Sequence, residues 1–147
     1  MGLACGTEKG SVVAACAEVA IDRRRGEIKV RHVCEAFECG PILNPENLQS
    51  QVRGCISMGL GPALREAMEF ADGKILNPRF DQYLVPRFTD LPTMDIHLVE
   101  NKDIDPAGAG ETPLMAIAPA IANAVFAATG VRLRSMPLKG SLLKENS

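Results

Sequence analysis

The sequence predicts an α/β (α+β) fold: a mixed or antiparallel sheet built from hairpins, with at least two helices packed on it. Runs rich in β-branched residues are joined by short polar turns, two longer stretches carry apolar residues at spacings of three and four, and regular strand–helix–strand units do not dominate. At 147 residues, 46% hydrophobic and 23% charged, the chain is long enough for one domain with a sizeable core. That domain is placed at residues 1–140, with a frayed tail at 141–147.

The first hairpin couples "GSVVAACAEVAID" to "GEIKVRHVCEAFE" through the polar "RRRG". In its second strand Ile28, Val30, His32 and Cys34 alternate with Glu27, Lys29, Arg31 and Val33, which leaves the buried face undecided. After "CGPILNP", Asn44 is a candidate N-cap and Pro45 the first helical residue. Leu48, Val52, Cys55, Ile56, Gly59, Ala63 and Ala67 then mark one apolar helix face. Gln51 borders it, about 40° from Cys55 and about 20° from Met58 around the axis, so its amide faces the interior or its margin and needs a partner. Gly54, Gly59 and Gly61 suit close approach by another backbone or a bulky group, and Pro62 predicts a kink or a break.

Asp72-Gly73 marks a two-residue hairpin turn. The stretch "NPRFDQYLVPRFTDLP" reads as an irregular crossing with Tyr83 and Phe88 packed, followed by a strand at "TMDIHLVE". Pro113 begins a short turn, and Pro119 opens a helix that Gly130 caps, with Ile117, Ile121, Ala124, Val125 and Ala128 on its buried side. "VRLRSMPL" alternates as a final strand would.

The formal net charge is -2 and no basic block exceeds Arg23-Arg24-Arg25, so nucleic acid is not an expected partner. No run reaches the roughly 18 continuous apolar residues of a membrane span, and the first residues lack a signal pattern; a membrane is not expected either. Five irregularly spaced cysteines read as free thiols in a reducing compartment, and His32 and His97 as structural or surface residues. No residue is assigned to a metal; Cys34 and Cys39 in "CEAFEC" are the sole support for a cysteine-based redox or metal alternative.

In "DPAGAGETPLMAIAPAIANAVFAATG", Glu111 stands between a glycine-rich turn and an apolar run. It can stabilise a helical first turn through the macrodipole, worth about 0.3–1 kcal/mol. Alternatively the glycines let backbone approach a ligand while apolar walls let the carboxylate act as a base. Spacing alone leaves both open. The segment "GAGETPLMAIAPAIANAVFAATGVRLRSMPL" follows, in order, "AEVAID", "CGPILNPENLQSQVRGCISMGLGPALREA" and "YLVPRFTDLPTMDIHLVE". This ordered set resembles the C-terminal part of the molybdenum-binding large subunit of the xanthine dehydrogenase and aldehyde oxidase family, in particular its isoquinoline 1-oxidoreductase β-subunit-like members. The resemblance covers residues 3–138.

The resemblance implies part of a molybdenum-cofactor-binding domain, with Glu111 as the general base that takes a proton from a hydroxyl beside the metal. It implies that Gln51, in "QSQVRG", hydrogen-bonds the molybdenum-pterin region and that Gly108 and Gly110 lie near the cofactor. The cofactor would be molybdenum-molybdopterin in its cytosine dinucleotide form, and the reaction oxidation of a small-molecule aldehyde or N-heterocycle with water as oxygen source. Implied partners are the remainder of the large subunit and an iron-sulfur subunit, in the cytoplasm, or in the periplasm behind an upstream signal. Because the family's large subunit is several times longer, the chain is expected to be a fragment, inactive and without cofactor alone, whose uncovered surfaces would form a homodimer or aggregate. The alternative is a non-catalytic structural or interaction domain derived from this family, in which Glu111 only caps a helix.

Overall fold

The computed structural model describes residues 1–143. Three long strands come first, β1 (Gly2–Glu8), β2 (Ser11–Asp22) and β3 (Glu27–Glu38), then the helix α1 (Pro45–Leu64). A small hairpin, β4 (Phe70–Ala71) and β5 (Lys74–Ile75), precedes β6 (Thr93–Val99) and the helix α2 (Ile117–Thr129). The main sheet has the order β1-β2-β3-β6, antiparallel except for the parallel β3–β6 pair, so the expected mixed sheet with two helices is present. Both helices lie on one face: α2 across β1 and β2, α1 against β3 and β6.

Local chemistry accounts for most boundaries. Asp22 Oδ1 accepts from the backbone N–H groups of Arg24 at 2.9 Å and Arg25 at 3.0 Å, closing the β2–β3 turn. Asn44 caps α1, its Oδ1 accepting from Asn47 N at 3.0 Å. Asp72 and Gly73 both take positive φ, 49° and 72°, as a tight hairpin turn of this kind requires. The β1 strand has no counterpart in the sequence reading. It runs so close under α2 that any Cβ at Gly2 would strike the helix backbone at Ala124.

Within β3 the pairing slips: Glu18 faces His32 but Val19 faces Val30, which makes Arg31 the extra residue of a β-bulge. The bulge reverses the alternation. Val30 points inward before it, and Val33, Glu35 and Phe37 point inward after it. His32 and Cys34 therefore turn to the outer face, where His32 Nε2 lies 2.9 Å from Asp95 Oδ2.

Several expectations need correction. Pro62 does not break α1, which continues to Leu64. Its missing N–H deprives only the carbonyl one turn back, on the exposed Met58, close to the helix end. Pro119 is not the first helical residue: α2 starts at Ile117, and a first-turn proline loses no intrahelical bond. Ala120 takes the buried place expected of Ala128, which is exposed. "VRLRSMPL" forms no strand; it follows α1 instead, burying Leu133 and Leu138 and donating from Leu138 N to Ala63 O at 2.7 Å. Phe88 is 95% exposed rather than packed, while the half-buried Tyr83 donates its hydroxyl to Glu66 Oε2 at 3.1 Å. Of the tail expected at 141–147, residues 141–143 belong to the 3-10 turn Gly140–Leu143, which buries Leu143; residues 144–147 lie outside the described residues.

The core fills the space between sheet and helices with Val13, Val33, Phe37, Val52, Ile56, Ile117, Ile121 and Val125, each 1% exposed or less. Full burial of such a side chain contributes roughly 1.5–3 kcal/mol. The helices meet where a Cβ on Gly59 would come within 3.1 Å of Ile117, so one of the glycines flagged in α1 does admit a close neighbour. The stretch Thr112–Thr129 is apolar enough for a membrane span by composition, with a mean hydropathy of 1.5, but a 3-10 turn at Thr112–Leu114 interrupts it and α2 buries one side on the sheet.

Candidate functional site

Three parts of the chain converge on the loop before Glu111: the β1–β2 turn, the middle of α1 and the glycine-rich segment itself. One turn apart on α1, Gln51 and Cys55 reach the same acceptor. Gln51 Nε2 donates to the Gly110 carbonyl at 2.8 Å and the Cys55 thiol donates to it at 3.4 Å. Gln51 itself is exposed, at the outer margin of the apolar face rather than inside it, and its amide finds its partner in this loop. On the opposite side Ser11 Oγ donates to the Gly108 carbonyl at 2.6 Å, and Thr112 Oγ1 to the Glu8 carbonyl at 3.4 Å. Ala107 N donates to Cys39 O at 2.8 Å. The loop is thus pinned to both α1 and the sheet, and a polar loop so tied keeps its shape.

Glu111 leaves this pinned loop toward solvent. Its side chain is 79% exposed, with Oε2 3.1 Å from Lys9 Nζ; Lys9 Nζ also lies 3.6 Å from Glu8 Oε1. The hydrogen bond to Glu111, then the charges of Glu111 and Glu8, hold the Lys9 ammonium above its ordinary pKa range. The apolar run after Glu111 does not wall the carboxylate, because that run is the core face of α2. Nor does the side chain cap a helix: it makes no capping hydrogen bond to the 3-10 turn, and α2 begins only at Ile117.

A Cβ added at Gly108 or Gly110 would meet nothing within 4 Å. Packing among the described residues therefore does not demand glycine at either position. Both line an open hollow with Lys9, Glu111 and Thr112. A glycine-lined hollow whose carbonyls are tied back, with an amide, a cation and a carboxylate at its margin, fits the edge of a site for a large polar group approached through backbone. These residues could hold one side of such a group and not enclose it. Among the described residues no three His, Cys, Asp or Glu side chains gather to hold a metal, and all five cysteines are free thiols.

Sequence reasoning missed Lys9, Ser11 and above all Glu35. Glu35 is 0% exposed and neither carboxyl oxygen has a hydrogen-bond partner. Burial pushes its pKa up to about 8, so it is a neutral acid at pH 7. Burial first, and then the charge of Glu35, push the Cys55 thiol up. Only a correct placement of the bulge at Arg31 would have turned Glu35 inward on paper.

Residues 7–92 match the family described as molybdopterin cofactor-binding domain; Gln51 lies inside the matched segment, and Gly108, Gly110 and Glu111 lie beyond it. A nicotinate dehydrogenase polypeptide of Pseudomonas putida is 34% identical over 122 residues, covering 83% of this chain and 10% of that protein. The beta chain of isoquinoline 1-oxidoreductase from Brevundimonas diminuta is 34% identical over 142 residues, 97% of this chain and 18% of that protein. The structure of quinoline 2-oxidoreductase from Pseudomonas putida 86 superposes with a TM-score of 0.81 at 25% identity, over 88% of this chain and 18% of that one. The chain spans only 10% to 18% of the length of these relatives.

Proposed function

The chain belongs to the molybdopterin cofactor-binding domain family, and from that premise we propose that it is the C-terminal part of a molybdenum hydroxylase in which Glu111 is the general base. The supporting observation is the hydrogen bond from Gln51 to Gly110 at 2.8 Å, which brings three separately assigned residues, Gln51, Gly110 and Glu111, to one rigid loop. The substrate class is an aldehyde or N-heterocycle. The names of the relatives include both, nicotinate, isoquinoline and quinoline on one side and aldehydes on the other.

When bound, molybdenum-molybdopterin, in its cytosine dinucleotide form in this reading, supplies the oxidising centre, with water as the oxygen source. The residues of this chain orient and deprotonate. Gln51 and Cys55 fix the Gly110 carbonyl and thereby the direction in which the next residue leaves the backbone. The open faces of Gly108 and Gly110 let the cofactor lie against main chain. Lys9 engages Oε2 of Glu111, which leaves Oε1 to accept the proton of the hydroxyl that serves as the oxygen nucleophile. The remainder of the large subunit covers the carboxylate and excludes bulk water, and an iron-sulfur subunit carries the electrons away.

Substitution tests this in the complete polypeptide with its partner. Glu111→Gln is expected to lower kcat by a factor of about 10²–10⁴ at unchanged molybdenum content, the usual contribution of a positioned base. Full turnover in that variant, or a complete complex purified without molybdenum, would overturn the reading.

A further inference from the structure

The outer face of the sheet, turned away from both helices, carries two thiols that play no part in the chemistry proposed for Glu111. Cys16 of β2 and Cys34 of β3 stand directly opposite each other, and both are half-buried free thiols. Directly opposed residues of antiparallel strands point to the same side, with Cα atoms about 4.5 or about 5.5 Å apart according to the hydrogen-bond pattern. Either separation lies inside the roughly 4.4–6.8 Å that a disulfide spans. The bulge at Arg31 creates this pairing: carried on in the register of Val19 and Val30, Cys16 would face Val33 instead.

The remaining cysteines are not placed to compete. Cys5 of β1 is exposed but faces Ala14, and the β1 residue opposite Cys16 is Leu3. Cys5 and Cys16 are therefore diagonal neighbours, about 7–8 Å apart, too far for a disulfide without backbone movement. Cys39 and Cys55 are buried. Glu18 and Asp95, both exposed, flank the opposed pair on the same face, so an uncharged small reagent suits it better than an anionic one.

We propose that Cys16 and Cys34 are a redox-modification site, a dithiol that closes to a cross-strand disulfide by exchange with an uncharged small-molecule disulfide. One cysteine, as thiolate, attacks a sulfur of the reagent; the reagent's S–S bond breaks, a mixed disulfide forms and one small thiol leaves. The second cysteine then attacks the protein sulfur of the mixed disulfide, forming the Cys16–Cys34 bond and releasing the second small thiol. The dithiol gives up two electrons and two protons, and the reagent takes them up as two thiols. The site stands or falls independently of the reading of Glu111.

The test incubates the complete native polypeptide and its partner with bis(2-hydroxyethyl) disulfide and 2-mercaptoethanol, then quenches, alkylates and maps the peptides without reduction. Trypsin cuts between the two cysteines after Arg23 and Arg31, and fragmentation separates Cys34 from Cys39. The expected product is a peptide pair joined through Cys16 and Cys34 that dithiothreitol releases, while Cys5 carries only the mixed disulfide. Diluting both reagents about tenfold at a fixed ratio should raise the ratio of disulfide to dithiol about tenfold, because two thiols are released for each reagent molecule consumed; a mixed disulfide does not respond. Cys16→Ala and Cys34→Ala should each leave the remaining cysteine as mixed disulfide alone, and the wild-type map decides by itself where a variant does not fold. Wild-type protein in which both cysteines are merely alkylated or carry only mixed disulfides, or in which a Cys5–Cys16 link predominates, overturns the proposal.

Discussion

The sheet with its two helices and the segment 66–92 solve opposite problems with similar residues. In the first, Val13, Ile56, Ile117 and Ile121 are fully buried and Phe37 is 1% exposed. In the second, Phe70, Phe80 and Phe88 are 74%, 99% and 95% exposed, beside Met58 at 67% on the outer side of α1. Polar stitches hold the second segment in shape: Arg65 to Asp90 at 2.7 Å, Tyr83 to Glu66, and Asn77 bridging Ala67 O and Glu69 N at 2.8 Å each. The body buries its large apolar side chains, while the segment leaves its own exposed. Of these, Phe88 and Met58 line one apolar hollow with Leu91, and contiguous exposed apolar side chains are the kind of surface that interactions cover.

The contrast is broken most directly inside the body. Ile117→Ala removes a fully buried side chain at the helix crossing and should cost about 2–5 kcal/mol in urea denaturation; a loss under about 1 kcal/mol would mean that the crossing is not packed. Next comes Glu35→Leu, read against pH. The folded pKa of Glu35, about 8, lies above the ordinary 4.5, so between those values the unfolded chain releases a proton that the native state keeps. Wild-type stability should then fall as pH rises, by up to about 1.4 kcal/mol per unit, and level off above the folded value. The leucine variant should lose that slope, and parallel urea midpoints from pH 5 to pH 9 would contradict it.

Smaller effects sharpen the boundary between the two regions. Asn44→Ala deletes the cap of α1 and should cost about 1 kcal/mol. Phe88→Ser should change unfolding free energy by less than about 0.5 kcal/mol while lowering self-association in sedimentation. If it instead destabilised the chain by several kcal/mol, Phe88 would be covered and the contrast would vanish.

What could be read in advance was what is local. Asn44 with Pro45, Asp72-Gly73, Gly130 and the spacing of Val52, Ile56 and Gly59 each specify structure through neighbours within a turn or two. Gln51 was placed at the margin of the apolar face by helical geometry alone, and its partner lies 59 residues away. Non-local facts escaped. Whether "VRLRSMPL" becomes a strand depends on a free sheet edge, not on its alternation, and whether Phe88 is packed depends on what lies across from it. The exposure of Glu111 could not be inferred from the apolar residues after it, since in the fold they face the sheet rather than the carboxylate.

The bulge at Arg31 gives β3 a parity. Before it, the inward residues of the strand are even-numbered, Ile28 and Val30; after it they are odd-numbered, Val33, Glu35 and Phe37. The interior location of the Glu35 carboxyl is therefore settled by counting, not by any affinity of that side chain for a core. Regular pairing through Arg31, with no bulge, would exchange the inner and outer sets along one end of the strand, sending Glu35 to water and Cys34 inward, without altering a single side chain in either set.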